Sequence, residues 1–260
     1  MKISPVSPSS PLRYPGGKTR ARKKICAYIP MHEKVLCSPF IGGASVELAC
    51  ATRMTVKGYD VFDPLVDFWN ALLNNKNELI DAVMRYYPLS KTRFYDTQKN
   101  YTRLDNPIEK AAAFFVLNRA SFSGTTLSGG MSPNHPRFTI SAIQRLYDFD
   151  APNLTVRKAD FVESTLRNPD AFLYLDPPYL SDQALYGIKG DTHNGFDHET
   201  LSALLRDRNR WVLSYNDCAL IREYYRDYRI LPIGWTYGMS KNKASNEILV
   251  VSNDVEVPQP

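Results

Sequence analysis

Two short apolar runs with a glycine turn between them constrain the fold of this chain most strongly. The first run, KVLCSPF (34–40), is followed by Gly42-Gly43 and a helical pattern over 44–52. The second run, VKGYDV, is a strand-like segment that ends at Asp60. The order of strand, glycine turn, helix, strand and acid is typical of a nucleotide-binding α/β unit. The spacing from Gly42 to Asp60 matches that usual between a glycine turn and a ribose-binding acid.

The remaining patterns extend this unit into a larger α/β fold. Further strands are predicted at 154–161, 171–179 and 210–217, and YRILPIGW and NEILVVSN are expected to complete the sheet. Residues 65–150 instead carry apolar residues at helical spacing. The sequence therefore predicts a Rossmann-like α/β sheet that is interrupted by a mainly helical insertion.

These patterns also divide the chain. We expect a flexible leader over 1–10, one domain formed by 11–64 and 151–260, and an insertion over 65–150. The insertion ends in a stretch at 121–138 that is rich in Gly, Ser, Thr and Pro. A loop of that length without regular structure is usually functional or disordered.

Composition indicates a water-soluble chain with a core. Hydrophobic residues make up 43% and charged residues 23% of the 260 residues. No apolar run is long enough to span a bilayer, and MKISPVSPSSPL lacks the apolar stretch of a signal peptide. The four cysteines form no C-x-x-C pair and the four histidines do not cluster with them. We therefore expect a cytoplasmic protein without a metal, a membrane partner or an evident obligate protein partner.

The positive charge of the chain is concentrated in one run. The net charge is +5, and KTRARKK (18–24) places five basic side chains in seven positions without an acid. A solvated helix face is the default interpretation of such a run, and a phosphate-binding surface is the alternative.

The segment FLYLDPPYL (172–180) ends an apolar strand with an acid, two prolines and a tyrosine. In open α/β sheets, ligands bind beyond the carboxyl ends of the strands. The two prolines stiffen the loop, so Asp176 and the Pro177 carbonyl can be held as two acceptors aimed at one place. Two acceptors beside the aromatic ring of Tyr179 suit a flat ligand with an exocyclic amine. An ordinary turn is the simpler alternative, but the upstream glycine turn and Asp60 favour a functional loop.

Taken together, these segments resemble the D12-class, Dam-like family of S-adenosylmethionine-dependent DNA adenine-N6 methyltransferases. The resemblance rests on LRYPGGK (12–18), PFIGGASVEL (39–48), GYDVFDPL, KADF and DPPY, in the order of the family's α arrangement. It implies a methyltransferase catalytic domain, S-adenosylmethionine as cofactor, double-stranded DNA as partner, and a target-recognition role for the insertion. A prokaryotic or phage-encoded enzyme is implied as well.

The resemblance also implies site residues. The residues implied to bind the cofactor are Tyr14, Lys18, Phe40, Gly42, Gly43, Asp60, Asp160, Phe161 and Asp176. The catalytic loop that would hold the flipped adenine is Asp176, Pro177, Pro178 and Tyr179, with Tyr179 stacking on the base. The residues implied or suggested to contact DNA are Arg20, Arg22, Lys23, Asn118, Arg119, Ser123 and Arg137. For Arg119, base readout, phosphate contact and a structural role all remain open.

Two positions depart from the family pattern or leave it ambiguous. Ser38 stands where the family often has Glu before Pro-Phe, and Asp63 is an alternative ribose acid to Asp60. Other functions also remain open: methylation of cytosine N4 or of RNA, and a DNA-binding homologue without activity. A NAD-dependent oxidoreductase would leave the DPPY segment unexplained. The recognition sequence does not follow from these residues, although GATC is the family's commonest target.

Overall fold

A computed structural model describes residues 8–132, 137–180, 195–233, 247–256 and 258. The strands form one seven-stranded sheet in the order β3-β2-β1-β4-β5-β7-β6. They are β1 (Val35–Ser38), β2 (Thr55–Asp60), β3 (Leu154–Lys158), β4 (Phe172–Leu175), β5 (Trp211–Asn216), β6 (Arg229–Ile233) and β7 (Glu247–Val251). Strands β1 to β5 pair in parallel, and β7 runs antiparallel to both β5 and β6. The α/β fold that the sequence predicts is therefore confirmed.

Ten α-helices are present in the described residues. They are α1 (Arg22–Ala27), α2 (Ser45–Cys50), α3 (Asp63–Asn74), α4 (Lys76–Met84), α5 (Lys91–Asn100), α6 (Pro107–Ala120), α7 (Ile140–Tyr147), α8 (Phe161–Leu166), α9 (His198–Arg206) and α10 (Ala219–Tyr224). None of the described helices is both long enough and apolar enough to cross a membrane.

The order of the strands positions the site. Strand β1 lies between β2 and β4, so the chain order reverses beside β1 and a crevice opens at the carboxyl ends of these strands. All four residues of β4 are buried, as expected of a central strand of a parallel sheet. The glycine turn after β1 and the DPPY loop after β4 therefore meet at the same edge.

The helical segment shares its core with the sheet. Helix α6 is buried on all sides from Ala111 to Ala120. The rings of Phe68 on α3 and Phe115 on α6 stack with centroids 5.7 Å apart. The predicted domain boundary at 64/65 falls within α3. This helix also packs on β2 and β3, so it belongs to the layer that covers the sheet. The indole of Trp69 on α3 donates to the Gly42 carbonyl at 3.0 Å, which ties α3 to the glycine turn.

One local prediction is wrong, and a second segment is more ordered than its composition indicates. The strand predicted over 154–161 ends at Lys158, because the Asp160 side chain accepts from Glu163 N at 2.8 Å and caps α8. The loop over 121–138 is ordered in part: Phe122–Gly124 form a 3₁₀ turn, and Ser121 pairs with Met131. Residues 133–136 of this loop and 1–7 of the predicted leader lie outside the described residues.

Candidate active site

A cavity of about 600 Å³ lies at the carboxyl ends of the parallel strands. This is the size of a site for a small organic ligand. Its wall contains all twelve residues that were predicted to bind the cofactor or the target base: Tyr14, Lys18, Phe40, Gly42, Gly43, Asp60, Asp160, Phe161, Asp176, Pro177, Pro178 and Tyr179. We call it the cofactor cavity.

The glycine turn is packed against Tyr14. A Cβ on Gly43 would lie 2.7 Å from Tyr14 Cβ, and a Cβ on Gly42 would lie 2.9 Å from Tyr14 Cε1. Gly42 also has a positive φ of 44°, which side-chain-bearing residues rarely adopt. Glycine is therefore required at both positions for the backbone to line the cavity so closely.

Asp60, at the end of β2, is fixed by two backbone donors. Its carboxylate accepts from Phe62 N at 3.0 Å and from Gly42 N at 3.3 Å. Burial raises the pKa of Asp60 to about 6, against the effect of these hydrogen bonds. The alternative acid, Asp63, does not line the cavity; its side chain is 62% exposed and pairs with Lys158 at 2.8 Å. The geometry therefore favours Asp60 as the ribose acid.

An aromatic cluster forms one side of the cofactor cavity. Phe40 lies 5.9 Å from Phe161 and 5.6 Å from Phe196 between ring centroids, and Phe161 lies 5.3 Å from Phe196. Asp160, the N-cap of α8, lies beside it in the wall. A flat apolar ring fits this side with a carboxylate at its rim. Phe196 was not predicted, because it lies in a connection that carries no motif.

Lys18 is separated from the rest of the basic run. Its ammonium lies 2.9 Å from Asp176 Oδ1 and 3.7 Å from Glu247 Oε2, and it donates to the Gly16 carbonyl at 2.8 Å. The resemblance implies that Lys18 binds the cofactor, and in this structure its ammonium pairs with the DPPY acid and with Glu247. Burial raises the pKa of Asp176, and the ammonium of Lys18 opposes that shift.

Tyr179 is held at both its hydroxyl and its ring. The hydroxyl donates to Glu247 Oε2 at 2.8 Å and lies 3.3 Å from Asp176 Oδ1. The ring stacks on Tyr215 with centroids 5.6 Å apart, and the Lys18 ammonium lies 4.9 Å from its centroid. The predicted role of Tyr179 was stacking alone, so the anchoring of its hydroxyl was missed.

Three further acids in the wall were not predicted: Glu247, Glu47 and Asp197, the N-cap of α9. Glu247, the first residue of β7, reaches the cavity from the antiparallel strand. Glu47 on α2 is buried and accepts a hydrogen bond from Ser38 Oγ at 2.6 Å. The signal for Glu47 was available, since a lone acid interrupts the apolar pattern ASVELACAT.

A second cavity, of about 570 Å³, adjoins the first and is lined by five arginines. We call it the arginine cleft; its arginines are Arg13, Arg22, Arg119, Arg137 and Arg145, and no acid lines it among the residues that the structure describes. Ser123, which has a positive φ of 53°, also lines the cleft. Arg20 and Lys23 are exposed near α1 and do not line the cleft. Arg13 and Arg145 were not predicted.

Two predicted DNA-contacting residues lie in the interior. Asn118 is 1% exposed, and its side-chain amide binds the backbone N–H and carbonyl of Arg13 at 2.8 and 2.9 Å. Arg119 is 8% exposed, and its guanidinium donates to the carbonyls of Arg137 and Pro11. This placement argues against direct DNA contact by Asn118. The guanidinium of Arg119 uses its N–H groups for backbone carbonyls. Of base readout, phosphate contact and a structural role, this arrangement favours the structural role.

A mainly parallel sheet with a cavity at the carboxyl ends of its strands is typical of α/β proteins that bind nucleotides there. Over residues 14–239 the sequence matches the profile of the D12 class N6 adenine-specific DNA methyltransferase family. The chain belongs to this family, which confirms the resemblance seen in its motifs, and it is a DNA adenine methyltransferase.

Individual relatives agree with this assignment. The type II methyltransferase M.CviBI of Paramecium bursaria Chlorella virus NC1A is 24% identical over 84% of this chain and 86% of its own length. A DNA adenine methylase of Vibrio cholerae serotype O1 is 24% identical over 90% of both chains. A DNA N-6-adenine-methyltransferase of Escherichia phage P1 is 25% identical over 89% of this chain but 33% of its own length.

Proposed function

We propose that this protein transfers a methyl group from S-adenosylmethionine to N6 of an adenine that is flipped out of duplex DNA. One observation carries the proposal: Asp176 of the DPPY loop lies in the wall of the same cavity as the glycine turn and Asp60. A cofactor site and an acceptor for an exocyclic amine are thus adjacent. The family of the chain supports the same reaction.

The described residues fit S-adenosylmethionine. The turn at Gly42 and Gly43 brings backbone to the cavity where a Cβ would collide with Tyr14. The Asp60 carboxylate at the end of β2 suits the two ribose hydroxyls, and the cluster around Phe161 suits an adenine ring. When bound, the cofactor supplies an electrophilic methyl group on a positively charged sulfur.

The task of the catalytic loop is positioning. The Asp176 carboxylate and the Pro177 carbonyl accept hydrogen bonds from the two protons of the exocyclic amine. These bonds favour a pyramidal nitrogen whose lone pair points at the methyl group. Lys18 and Tyr179 fix the Asp176 carboxylate through contacts of 2.9 and 3.3 Å. Because N6 is paired and stacked in a duplex, the base is extruded first, at a cost of a few kcal/mol.

The arginine cleft is the surface that we assign to the DNA backbone. Its arginines are not balanced by an acid in the described lining, so phosphate oxygens are the complementary ligands. Arg137 and Arg145 are exposed there, and Arg20 and Lys23 extend the positive surface near α1. Binding that depends on such contacts weakens steeply with salt.

A single assay tests the proposed reaction. The protein is incubated with S-adenosylmethionine labelled in its methyl group and with duplex DNA, and the DNA is then digested to nucleosides. We expect the label in N6-methyladenine. Label in N4-methylcytosine, or incorporation into RNA alone, would contradict the proposed substrate. Cofactor binding without any incorporation would identify an inactive homologue.

A further inference from the structure

Glu47 is a buried acid in the wall of the cofactor cavity to which no motif assigns a role. It is the third residue of α2 and is 2% exposed. The Ser38 hydroxyl, at the end of β1, donates to its Oε1 at 2.6 Å. Glu47 therefore contributes a fixed carboxylate to the cavity wall, close enough to Asp176 for the two charges to interact.

This carboxylate has no cation beside it in the described part of the chain. No Lys, Arg or His among the described residues lies within ion-pair distance of Glu47, and the ammonium of Lys18 is bound to Asp176 at 2.9 Å. Burial raises the pKa of Glu47 to about 7, and the charge of Asp176 adds to the shift. A buried carboxylate that lacks a cation is costly for the folded protein.

Helix capping does not explain the position of Glu47. A Glu at this place in a helix often completes a reciprocal pair with the side chain of the N-cap residue. The N-cap of α2 is Ala44, which makes no side-chain hydrogen bond. The Glu47 carboxylate instead accepts a hydrogen bond from the Ser38 hydroxyl at the end of β1, and it lines the cavity.

We propose that Glu47, held by Ser38, binds the α-ammonium group of the methionine portion of S-adenosylmethionine. This inference rests on the proposed function. Asp60 and the aromatic cluster suit the nucleoside part, so the group formed by Lys18, Asp176 and Glu47 is left for the amino-acid part. The ammonium supplies the positive charge that the described wall does not give to Glu47.

The same geometry accounts for the departure at position 38. The family pattern often has Glu there, whereas this chain has Ser38. Since Ser38 Oγ and Glu47 Oε1 are 2.6 Å apart, the Ser–Glu pair brings a carboxylate from α2 to the end of β1. The acid is thus supplied by the helix in place of the strand.

Two ligands that differ in the amino-acid part test the inference. S-adenosylhomocysteine carries the ammonium, and 5′-methylthioadenosine has the same nucleoside without it. Calorimetry of Glu47→Gln should show a loss of affinity for S-adenosylhomocysteine of about tenfold or more, as expected for a hydrogen bond to a charged group. The affinity for 5′-methylthioadenosine should be unchanged. Ser38→Ala should show the same selectivity with a smaller loss.

Glu163→Gln is the matched control, because Glu163 is the third residue of α8 and does not line the cavity. It should leave both affinities unchanged. If Glu47→Gln lost affinity equally for both ligands, Glu47 would have only a structural role. If it lost affinity for neither ligand, the inference would be overturned as well. If the unaltered protein bound neither ligand, the proposed function itself would fail, so the two failures are distinguishable.

Discussion

The cofactor cavity and the arginine cleft are similar in size but opposite in charge. They measure about 600 and 570 Å³ and share Tyr14, Gly17, Gly43 and Ser45 in their walls. The first is lined by six acids and one lysine among the described residues, and the second by five arginines. The shared residues thus lie between a cavity suited to a cation and a cleft suited to phosphate.

The two cavities also differ in how their charges are held. In the cofactor cavity, Lys18 and Asp176 pair with each other, so the geometry is fixed before a ligand binds. In the arginine cleft, burial together with Arg145, Arg13 and Arg137 lowers the pKa of Arg119 to about 10. Like charges are therefore gathered there without a compensating acid in the described lining. This difference supports the proposed roles: a site whose geometry is fixed in advance for the reaction, beside a surface whose positive charges are complemented by DNA.

The largest effect is expected from the loss of the DPPY carboxylate. Asp176→Asn keeps the shape but can present an N–H donor towards the amine, and we expect turnover to fall about a hundredfold or more. Asp176→Ala should be comparably poor and less stable, because it leaves the buried Lys18 ammonium with a weaker partner. Single-turnover rates test this, with cofactor affinity as the control. A single-turnover rate within twofold of that of the unaltered protein would show that Asp176 takes no part in the methyl transfer.

The next effect concerns cofactor affinity and its dependence on pH. Because the pKa of Asp60 is raised to about 6, this carboxyl takes up a proton as the pH falls through 6 and then binds the ribose hydroxyls less well. We expect affinity for S-adenosylhomocysteine to rise between about pH 5 and 7. Asp60→Asn should weaken binding by roughly 0.5–3 kcal/mol and remove the Asp60 contribution to this rise. Because burial also raises the pKa of Glu47 to about 7, the comparison is best made in a Glu47→Gln background. An unchanged pH profile in Asp60→Asn would exclude Asp60 as the ribose acid.

A smaller effect is expected from the Tyr179 hydroxyl. Tyr179→Phe keeps the stack on Tyr215 but loses the contacts to Glu247 and Asp176, so turnover should fall by a factor of about 2–10. Tyr179→Ala removes the ring as well and should be much more severe. Equal single-turnover rates for the Phe and Ala variants would show that the ring contributes nothing.

The smallest effect is expected from one exposed arginine of the cleft. Arg145→Ala should weaken binding to all duplex sequences alike and reduce the slope of log affinity against log salt by about one unit. Arg226→Ala is the control, since Arg226 is exposed and does not line the cleft. A slope that changes equally in both variants would mean that overall charge, and not the cleft, determines binding.

The cofactor cavity was far easier to predict from the sequence than the arginine cleft. The glycine turn, Asp60 and the DPPY loop are local motifs at strand ends, and a parallel sheet brings such ends together. Glu247 was missed because it depends on β7 inserting between β5 and β6, an order that no local pattern shows. The arginine cleft was harder to predict because contacts between residues distant in sequence position its side chains. Asn118, for example, binds the backbone of Arg13. Likewise, Gln98 orders the loop near Thr126 and Gly129.

The separation of the two cavities can be tested by measuring both ligands on a variant of each. For Asp60→Asn, affinity for S-adenosylhomocysteine should fall while the salt slope of DNA binding stays unchanged. For the double variant Arg137→Ala with Arg145→Ala, the slope should fall by about two units while affinity for S-adenosylhomocysteine stays unchanged. A double variant that kept its salt slope, or that lost cofactor affinity instead, would contradict the assignment of one cavity to the cofactor and the other to DNA.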